Sequence, residues 1–225
     1  MRIAIISDVH GNLHALRAVL EDVAQRDVDD VVCAGDVVGY GARPNECCRA
    51  VSELARQACL GNHDLAAIRA DPSGMNPYAA RAALWTSEHL DDDSKKYLEG
   101  LGESVRFRKK EMQWVVRHGS LGGIWEYLYE QDVDEGMLRD ARAQVLVFGH
   151  THVPYIKRFS IGIIINPGSV GQPRDGDPRA SYSMLDVETL LCNNVRVEYD
   201  VEGAAEAILE AGLPEMLATR LSSGF

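Results

Sequence analysis

The side chains able to do chemistry gather in a few short runs. Gly61-Asn62-His63-Asp64 sets a glycine, an amide, an imidazole and a carboxylate directly after the apolar approach Ala58-Cys59-Leu60. Three runs share that design. Ile3 to Ser7 leads into Asp8-Val9-His10-Gly11, Val31 to Ala34 into Gly35-Asp36, and Val145 to Phe148 into Gly149-His150-Thr151-His152. A fifth, Trp114-Val115-Val116, passes through Arg117 to His118. Five of the seven histidines lie in these places. Aspartate and imidazole suit manganese, iron, zinc and related divalent ions. Asp8 and His10 are two apart, as are His150 and His152, so locally extended chain turns each pair the same way. The candidate ligands are Asp8, His10, Asp36, Asn62, His118, His150 and His152. Seven are too many for one tetrahedral zinc but suit two metals ~3.5–4 Å apart with a shared carboxylate. Asp36, a lone carboxylate between two better-populated groups, is the expected bridge. Each residue alone is as common in a core as in a site; their joint placement at strand ends beside glycines points to a metal centre.

These runs need strands to deliver them and helices to return the chain. Asn12 reads as a cap for a helix with Leu13, Leu16, Val19, Leu20 and Val23 on one face. Strand, helix and the strand at Val31–Ala34 make a parallel crossover unit. Pro44 suits the first turn of a second helix with Cys47, Cys48, Val51, Leu54 and Ala55 on its apolar stripe. That stripe makes Cys47 and Cys48 small buried hydrophobes rather than a reactive pair. Residues 65 to about 100 read as a helical insert, with Asn76-Pro77 opening a helix through His89. Asp91-Asp92-Asp93 reads as a solvated helix start. A hairpin is expected around Lys109-Lys110-Glu111, and a further helix from Val133 to Arg142. After residue 145 the pattern is mostly strand: Tyr155 to Phe159, Ile163 to Ile165, Ser181 to Asp186 and Val195 to Tyr199. The tail from Val201 reads as helix, with Ala205, Ile208 and Leu209 inward and Ser222-Ser223-Gly224 frayed. The expected fold is α/β (α+β): two mixed β-sheets packed face to face and flanked by helices. Ligands of open α/β sheets gather at the carboxyl ends of strands, where all five runs end.

The 225 residues suit a single domain, 1–225, with that insert. A net charge of −11 argues against an extended nucleic-acid interface. Handling an anionic substrate then calls for cations at the site. No apolar run approaches the ~20 residues of a membrane span. The chain opens on a strand pattern without a secretory signal, and its five cysteines form no C-x-x-C pair. A reducing, cytoplasmic setting is expected.

Asp8-Val9-His10-Gly11-Asn12, Gly35-Asp36, Gly61-Asn62-His63-Asp64, His118 and Gly149-His150-Thr151-His152 occur in that order. On this set the chain resembles the calcineurin-like metallophosphoesterases, from residue 3 to about 185. The resemblance implies a four-layer αββα sandwich. It implies one metal on Asp8, His10, Asp36 and His152, and a second on Asp36, Asn62, His118 and His150. His63 would face the phosphate rather than a metal and protonate the leaving oxygen as general acid. Two divalent ions, manganese first, with iron, zinc, nickel or cobalt as alternatives, would make hydroxide available near neutral pH and offset charge in an in-line displacement. Asn62 could bind metal through its carbonyl and offer its NH₂ to phosphate. Arg174 is a candidate substrate contact, and the loop Asn166, Gly168, Ser169 would shape the rim. The expected partner is a small phosphoester, with no prediction of oligomeric state.

The phosphoprotein phosphatases of that superfamily carry G-D-x-V-D-R-G, where this chain has Gly35-Asp36-Val37-Val38-Gly39-Tyr40-Gly41. The arginine and second aspartate are missing. The pattern is closer to the small bacterial phosphodiesterase branch. Phosphomonoesterase, dinucleoside polyphosphatase and phosphoprotein phosphatase roles are the alternatives on the same site. A non-catalytic scaffold of this fold, as in a retromer subunit, would not need every ligand and His63. A metal-dependent amidohydrolase normally starts with H-x-H and continues as a barrel. Trp125, Tyr127 and Tyr129 would pack a loop onto the body or, alternatively, stack a nucleobase.

Overall fold

A computed structural model describes residues 1–225. The chain begins β1 (Arg2–Ile6), α1 (Leu13–Ala24), β2 (Asp30–Cys33), α2 (Pro44–Leu54) and β3 (Gln57–Ala58). Asn12 caps α1, its Oδ1 accepting the Ala15 N–H, and Pro44 opens α2. Three helices follow: α3 (Asn62–Arg69), α4 (Pro77–His89) and α5 (Asp92–Glu99). Asn76 caps α4 and Asp91 caps α5, so the acidic run is a helix start as expected. The hairpin is β4 (Ser104–Lys109) and β5 (Met112–Arg117). Then come α6 (Glu135–Ala141), β6 (Val145–Val147), β7 (Tyr155–Phe159), β8 (Gly162–Asn166), β9 (Ala180–Asp186) and β10 (Cys192–Val197). Helices α7 (Val201–Glu210) and α8 (Glu215–Thr219) close the chain.

The strands form two five-stranded sheets, ordered β10-β9-β1-β2-β3 and β4-β5-β6-β8-β7. Both are mixed. β1, β2 and β3 run parallel, β9 is antiparallel to β1 and to β10 on its other side, while β5, β6 and β8 run parallel with β4 and β7 antiparallel. Strand periodicity divides the apolar residues between layers. Ile3, Ile5, Val32, Trp114, Val116, Val145 and Val147 meet between the sheets. Their neighbours Ala4, Ile6, Val31 and Cys33 face α1 and α2 on one outer side. Val115, Leu146 and Ile164 face α6 on the other. The architecture is the four-layer αββα sandwich. No helix is long and apolar enough to cross a membrane.

Local expectations need correction at a few places. Leu54 ends α2 43% exposed while Ala55 turns inward. In α7 the buried stripe is Ala204, Ala207 and Ile208, at i, i+3, i+4 spacing; Leu209 lies one residue round the helix and is 51% exposed. β10 starts three residues earlier than read, because its register pairs Cys192 with Leu185 and Val197 with Ala180. The C-terminus is docked rather than frayed: Arg220–Ser222 form a 3-10 turn, Gly224 is buried, and the Gly176 N–H donates to the Gly224 carbonyl at 3.0 Å. Tyr40, Ala79, Ala82, Ile208, Leu217 and Leu221 form a separate apolar cluster there, joining this tail to α4.

Candidate metal centre

The loops that leave β1, β2, β5 and β6 are laced to one another by their backbones. The Asp8 N–H donates to the Gly35 carbonyl (3.0 Å), His10 to Asp36 (2.9 Å), and Gly149 to His118 (2.9 Å). Asp8, His10, Asp36, His150 and His152 all have left-handed backbones, with φ from 51 to 68°. Such conformations cost on the order of 1–3 kcal/mol each and persist only where the surroundings impose them. Their concentration here marks the cluster as built for a task. The Gly61-Asn62-His63-Asp64 run differs from the expected strand-end loop. β3 ends at Ala58, and Asn62 and His63 are the first helical residues of α3 behind Gly61 as N-cap. A Cβ at Gly61 would collide with the Asp36 carboxylate, so only glycine lets α3 start this close.

The imidazoles are oriented from behind. His118 Nδ1 lies 2.8 Å from the Ala34 carbonyl, His10 Nδ1 3.3 Å from that of Val38, and His152 Nδ1 against that of Gln172. Donation from each Nδ1–H leaves the Nε2 lone pair for the interior. His150 is reversed: its Nε2 faces the Trp125 carbonyl at 3.3 Å, which leaves Nδ1 for the cluster. The inward atoms are close. His10 Nε2 and His152 Nε2 are 3.0 Å apart, and Asn62 Oδ1 is 3.0 Å from His118 Nε2. Asp8, His10 and His152 offer ligand atoms within 4.8 Å of one another, as do Asp36, His118 and His150. All seven expected ligands are thus brought together and buried.

The carboxylates divide their oxygens between support and interior. Asp8 Oδ2 accepts the Ser7 hydroxyl (2.6 Å) and the His150 N–H (3.1 Å), while Oδ1 has no hydrogen-bond donor and lies 3.2 Å from His152 Nε2. Asp36 Oδ1 accepts the His63 N–H at 2.8 Å. Asp36 Oδ2 lies 3.1 Å from His118 Nε2 and 3.6 Å from His10 Nε2, between the two groups. Burial alone would raise both carboxyls, but the imidazole charges outweigh it, His152 and His118 for Asp8 and His118 and His63 for Asp36, so both sit below the usual range. Burial likewise lowers His118, but Asp36 and then Asp8 hold its pKa up to about 9. Burial first, then His118, takes His150 down to about 4; burial and then Arg174 take His152 down to about 3. The His118 imidazole, its pKa raised, thus faces two buried carboxylates, 3.1 Å from Asp36 and 3.9 Å from Asp8. Buried charge is tolerated only when compensated. Inward lone pairs and an oxygen without a donor complete a donor set that fits divalent metal.

His63 lies at the edge of this cluster. Its ring packs on Tyr40 (4.4 Å between centroids) and edge-on to His10 (4.8 Å). A Cβ at Gly39 would stand 2.6 Å from His63 Nδ1, so the glycine at that position makes room for the ring. Burial above all, with His10, His152 and Arg174, holds the His63 pKa well below its usual value against the pull of Asp36. Arg174 Nη2 donates to the Tyr40 hydroxyl at 3.2 Å. A guanidinium thus approaches the residue that replaces the missing arginine. Tyr127 stacks on His150 (4.0 Å, 24°), so the aromatic loop packs onto the body at a candidate ligand and orients it. A cleft of about 330 Å³ opens over Asn62, His63 and His150, walled by Tyr127, Trp125 and Met75.

The sequence patterns assign no site role to Asp64, Ser7 or Tyr40, although Asp64 lies in the Gly61-Asn62-His63-Asp64 run. Asp64 accepts the Gly61 N–H and the Val38 N–H, both at 2.9 Å, tying α3 to the loop after β2. Its position three residues after Gly61 is the capping signature that would have found it. Burial and then Asp36 raise its pKa to about 7. Asn166 holds the loop from behind, donating to the Gly149 carbonyl, and Ser169 donates to the Asp8 carbonyl, so both are fully buried supports rather than rim.

Residues 1–190 match the family model for the calcineurin-like phosphoesterase superfamily domain. An uncharacterized protein of Methanocaldococcus jannaschii is 36% identical, covering 99% of this chain and 98% of its own. Phosphodiesterase YfcE of Escherichia coli is 29% identical over 84% of this chain and 90% of its own. Among solved structures, a metallophosphoesterase from Sphaerobacter thermophilus is 41% identical and superposes with a TM-score of 0.87 over 100% of this chain and 99% of its own. From its ordered motifs, its sandwich fold and these matches, the chain belongs to the calcineurin-like phosphoesterase superfamily and is a metal-binding hydrolase of phosphoric esters.

Proposed function

We propose that the chain hydrolyses a small phosphodiester, nucleotide-type esters included, on two divalent ions, with manganese as the first candidate and iron, zinc, nickel or cobalt as alternatives. Asp8, His10, Asp36 and His152 would hold one ion, and Asp36, Asn62, His118 and His150 the other. The reading rests on Asp36 Oδ2, a single oxygen near an imidazole nitrogen of each group. Bound there, divalent ions supply Lewis-acid stabilisation of phosphoryl oxygens and acidify water to near-neutral pKa. Asn62 keeps Oδ1 on the cluster, so its NH₂ is available to a phosphoryl oxygen. His63 is buried, and its Nδ1 has no partner. It serves to donate a proton to the departing oxygen. Burial holds its pKa well below the usual value in the ligand-free chain, and the negative charge of a bound ester would raise it. YfcE, a phosphodiesterase by name, supports the diester class. The absence of arginine at position 40 argues against the phosphoprotein branch.

A second reading makes His63 a ligand, since its ring offers a nitrogen within 4.8 Å of a His10 nitrogen and an Asp36 carboxylate oxygen. Leaving-group dependence separates the two. Proton transfer from a positioned side chain is worth roughly 10²–10⁴-fold. A p-nitrophenolate leaves without a proton, whereas an alkoxide needs one. His63→Gln is expected to retain its metal and to lose far more activity on alkyl diesters than on p-nitrophenyl diesters. Equal losses with intact metal would reject the general acid, and equal losses with lost metal would make His63 a ligand.

A further inference from the structure

Two arginines meet beside the centre without a carboxylate between them. Arg174 lies on the loop after β8; Arg220, beyond the residues matched by the family model, starts the 3-10 turn after α8. Arg174 Nη2 and Arg220 Nη1 both turn to the one oxygen Oε1 of Gln172, at 3.2 and 3.5 Å. The nearby carboxylates are taken: Asp175 pairs with Arg196 and Asp177 with Arg179. Three buried donors have no acceptor, namely Gln172 Nε2, Arg174 Nε and Arg220 Nε, and Gln172 is 1% exposed. Like charges held together with unspent donors cost stability unless something rich in acceptors joins them. Burial and then the Arg174 charge lower the Arg220 pKa, as expected for a cation short of a counter-charge.

The placement is fixed by the fold. The Arg174 N–H donates to the His152 carbonyl at 3.3 Å, and Gly176 on the same loop is tied to Gly224 of the tail. Arg174 also lies over the Tyr40 ring at 5.7 Å, and the imidazoles of His63, His10 and His152 lie against that same ring. The pair is therefore one tyrosine away from the proposed general acid.

We infer that Gln172, Arg174 and Arg220 form a subsite for a second oxyanion of the substrate, so that the natural ester carries another phosphate or carboxylate besides the group that is cleaved. This rests on the phosphoesterase reading, which it narrows to a doubly anionic class. Guanidinium donors match such oxygens in geometry and charge.

The test uses metal-loaded protein and p-nitrophenyl alkyl phosphodiesters whose alkyl chain, two to six carbons long, ends in hydroxyl, carboxylate or phosphate. All report the same leaving group. The anionic ends should raise kcat/KM over the hydroxyl end, and the larger gain identifies phosphate or carboxylate. Arg220→Gln should cut that preference about tenfold or more, and Arg220→Lys should keep part of it. No preference in the unaltered chain, or the same preference in Arg220→Gln at an unchanged melting temperature, overturns the subsite. Inorganic phosphate gives a readout independent of turnover. It should raise the melting temperature of the unaltered chain more than that of Arg220→Gln, and equal shifts overturn the proposal. Failure of every ester alongside unequal phosphate shifts would instead reject the phosphoesterase reading and leave the anion site standing.

Discussion

Asp36 concentrates the residue-scale chemistry: one oxygen is fixed by the His63 N–H, and the other lies between two histidines of different groups. Asp36→Asn should therefore deplete both metals after manganese loading, whereas His10→Ala should mainly deplete one, as read by elemental analysis. Two retained metals in Asp36→Asn would move the bridge elsewhere. His118 adds a pH dependence. Its folded pKa, about 9, stands above the ordinary 6.5. In the stripped protein it therefore contributes stability that is complete below 6.5 and is lost as pH rises through about 9. Metal must displace that proton, so metal affinity should strengthen over the same window. Melting curves across pH for stripped protein, paired with metal titrations, check both signs.

Among the elements, α3 carries the most consequence for its eight residues. It brings Asn62 and His63 in on its first turn, and its third residue, Asp64, reaches back to Gly61 and across to Val38. Asp64→Ala would leave two buried N–H groups without acceptors. Unsatisfied buried donors cost roughly 1–3 kcal/mol each. A loss of roughly 2 kcal/mol or more in denaturant unfolding is expected, with reduced turnover because both loops it joins face the metals. Asp64→Asn keeps an acceptor oxygen and should lose less. An unchanged denaturation midpoint in Asp64→Ala would show that this tie is dispensable.

For the whole molecule, the metal centre closes the gap between two sheets. The inter-sheet core of Ile5, Val32, Trp114, Val116 and Val147 holds the sheets together on their own. The stripped chain should therefore stay folded but less stable. Ligands that bind only the folded state stabilise it by about 2.7 kcal/mol at a hundredfold excess over Kd. For a chain of this size that is roughly 5–10 °C in Tm. Chelation should lower Tm by about that amount, with recovery on adding manganese; no change would contradict two closely held ions.

The sequence alone determined the residue types, their order and their placement after apolar strand runs. Those features are local: period-two apolar runs, a cap before α1, a proline at the start of α2. They sufficed for the sandwich and for naming seven candidate ligands, since imidazole, carboxylate and amide oxygen suit such divalent ions whatever surrounds them. Where those donors point was decided only by tertiary structure. The tautomers depend on the carbonyls of Ala34, Val38 and Gln172, and on Trp125 for His150, which reach the rings from distant segments. The meeting of Arg174 with Arg220 was equally illegible. It depends on the C-terminal turn packing back on the loop after β8, and no period or motif within either stretch encodes a contact between segments 46 residues apart in number. Leu54 and Leu209 carry the same lesson in reverse: their apolar type predicted burial, but the positions of neighbouring elements left them in solvent.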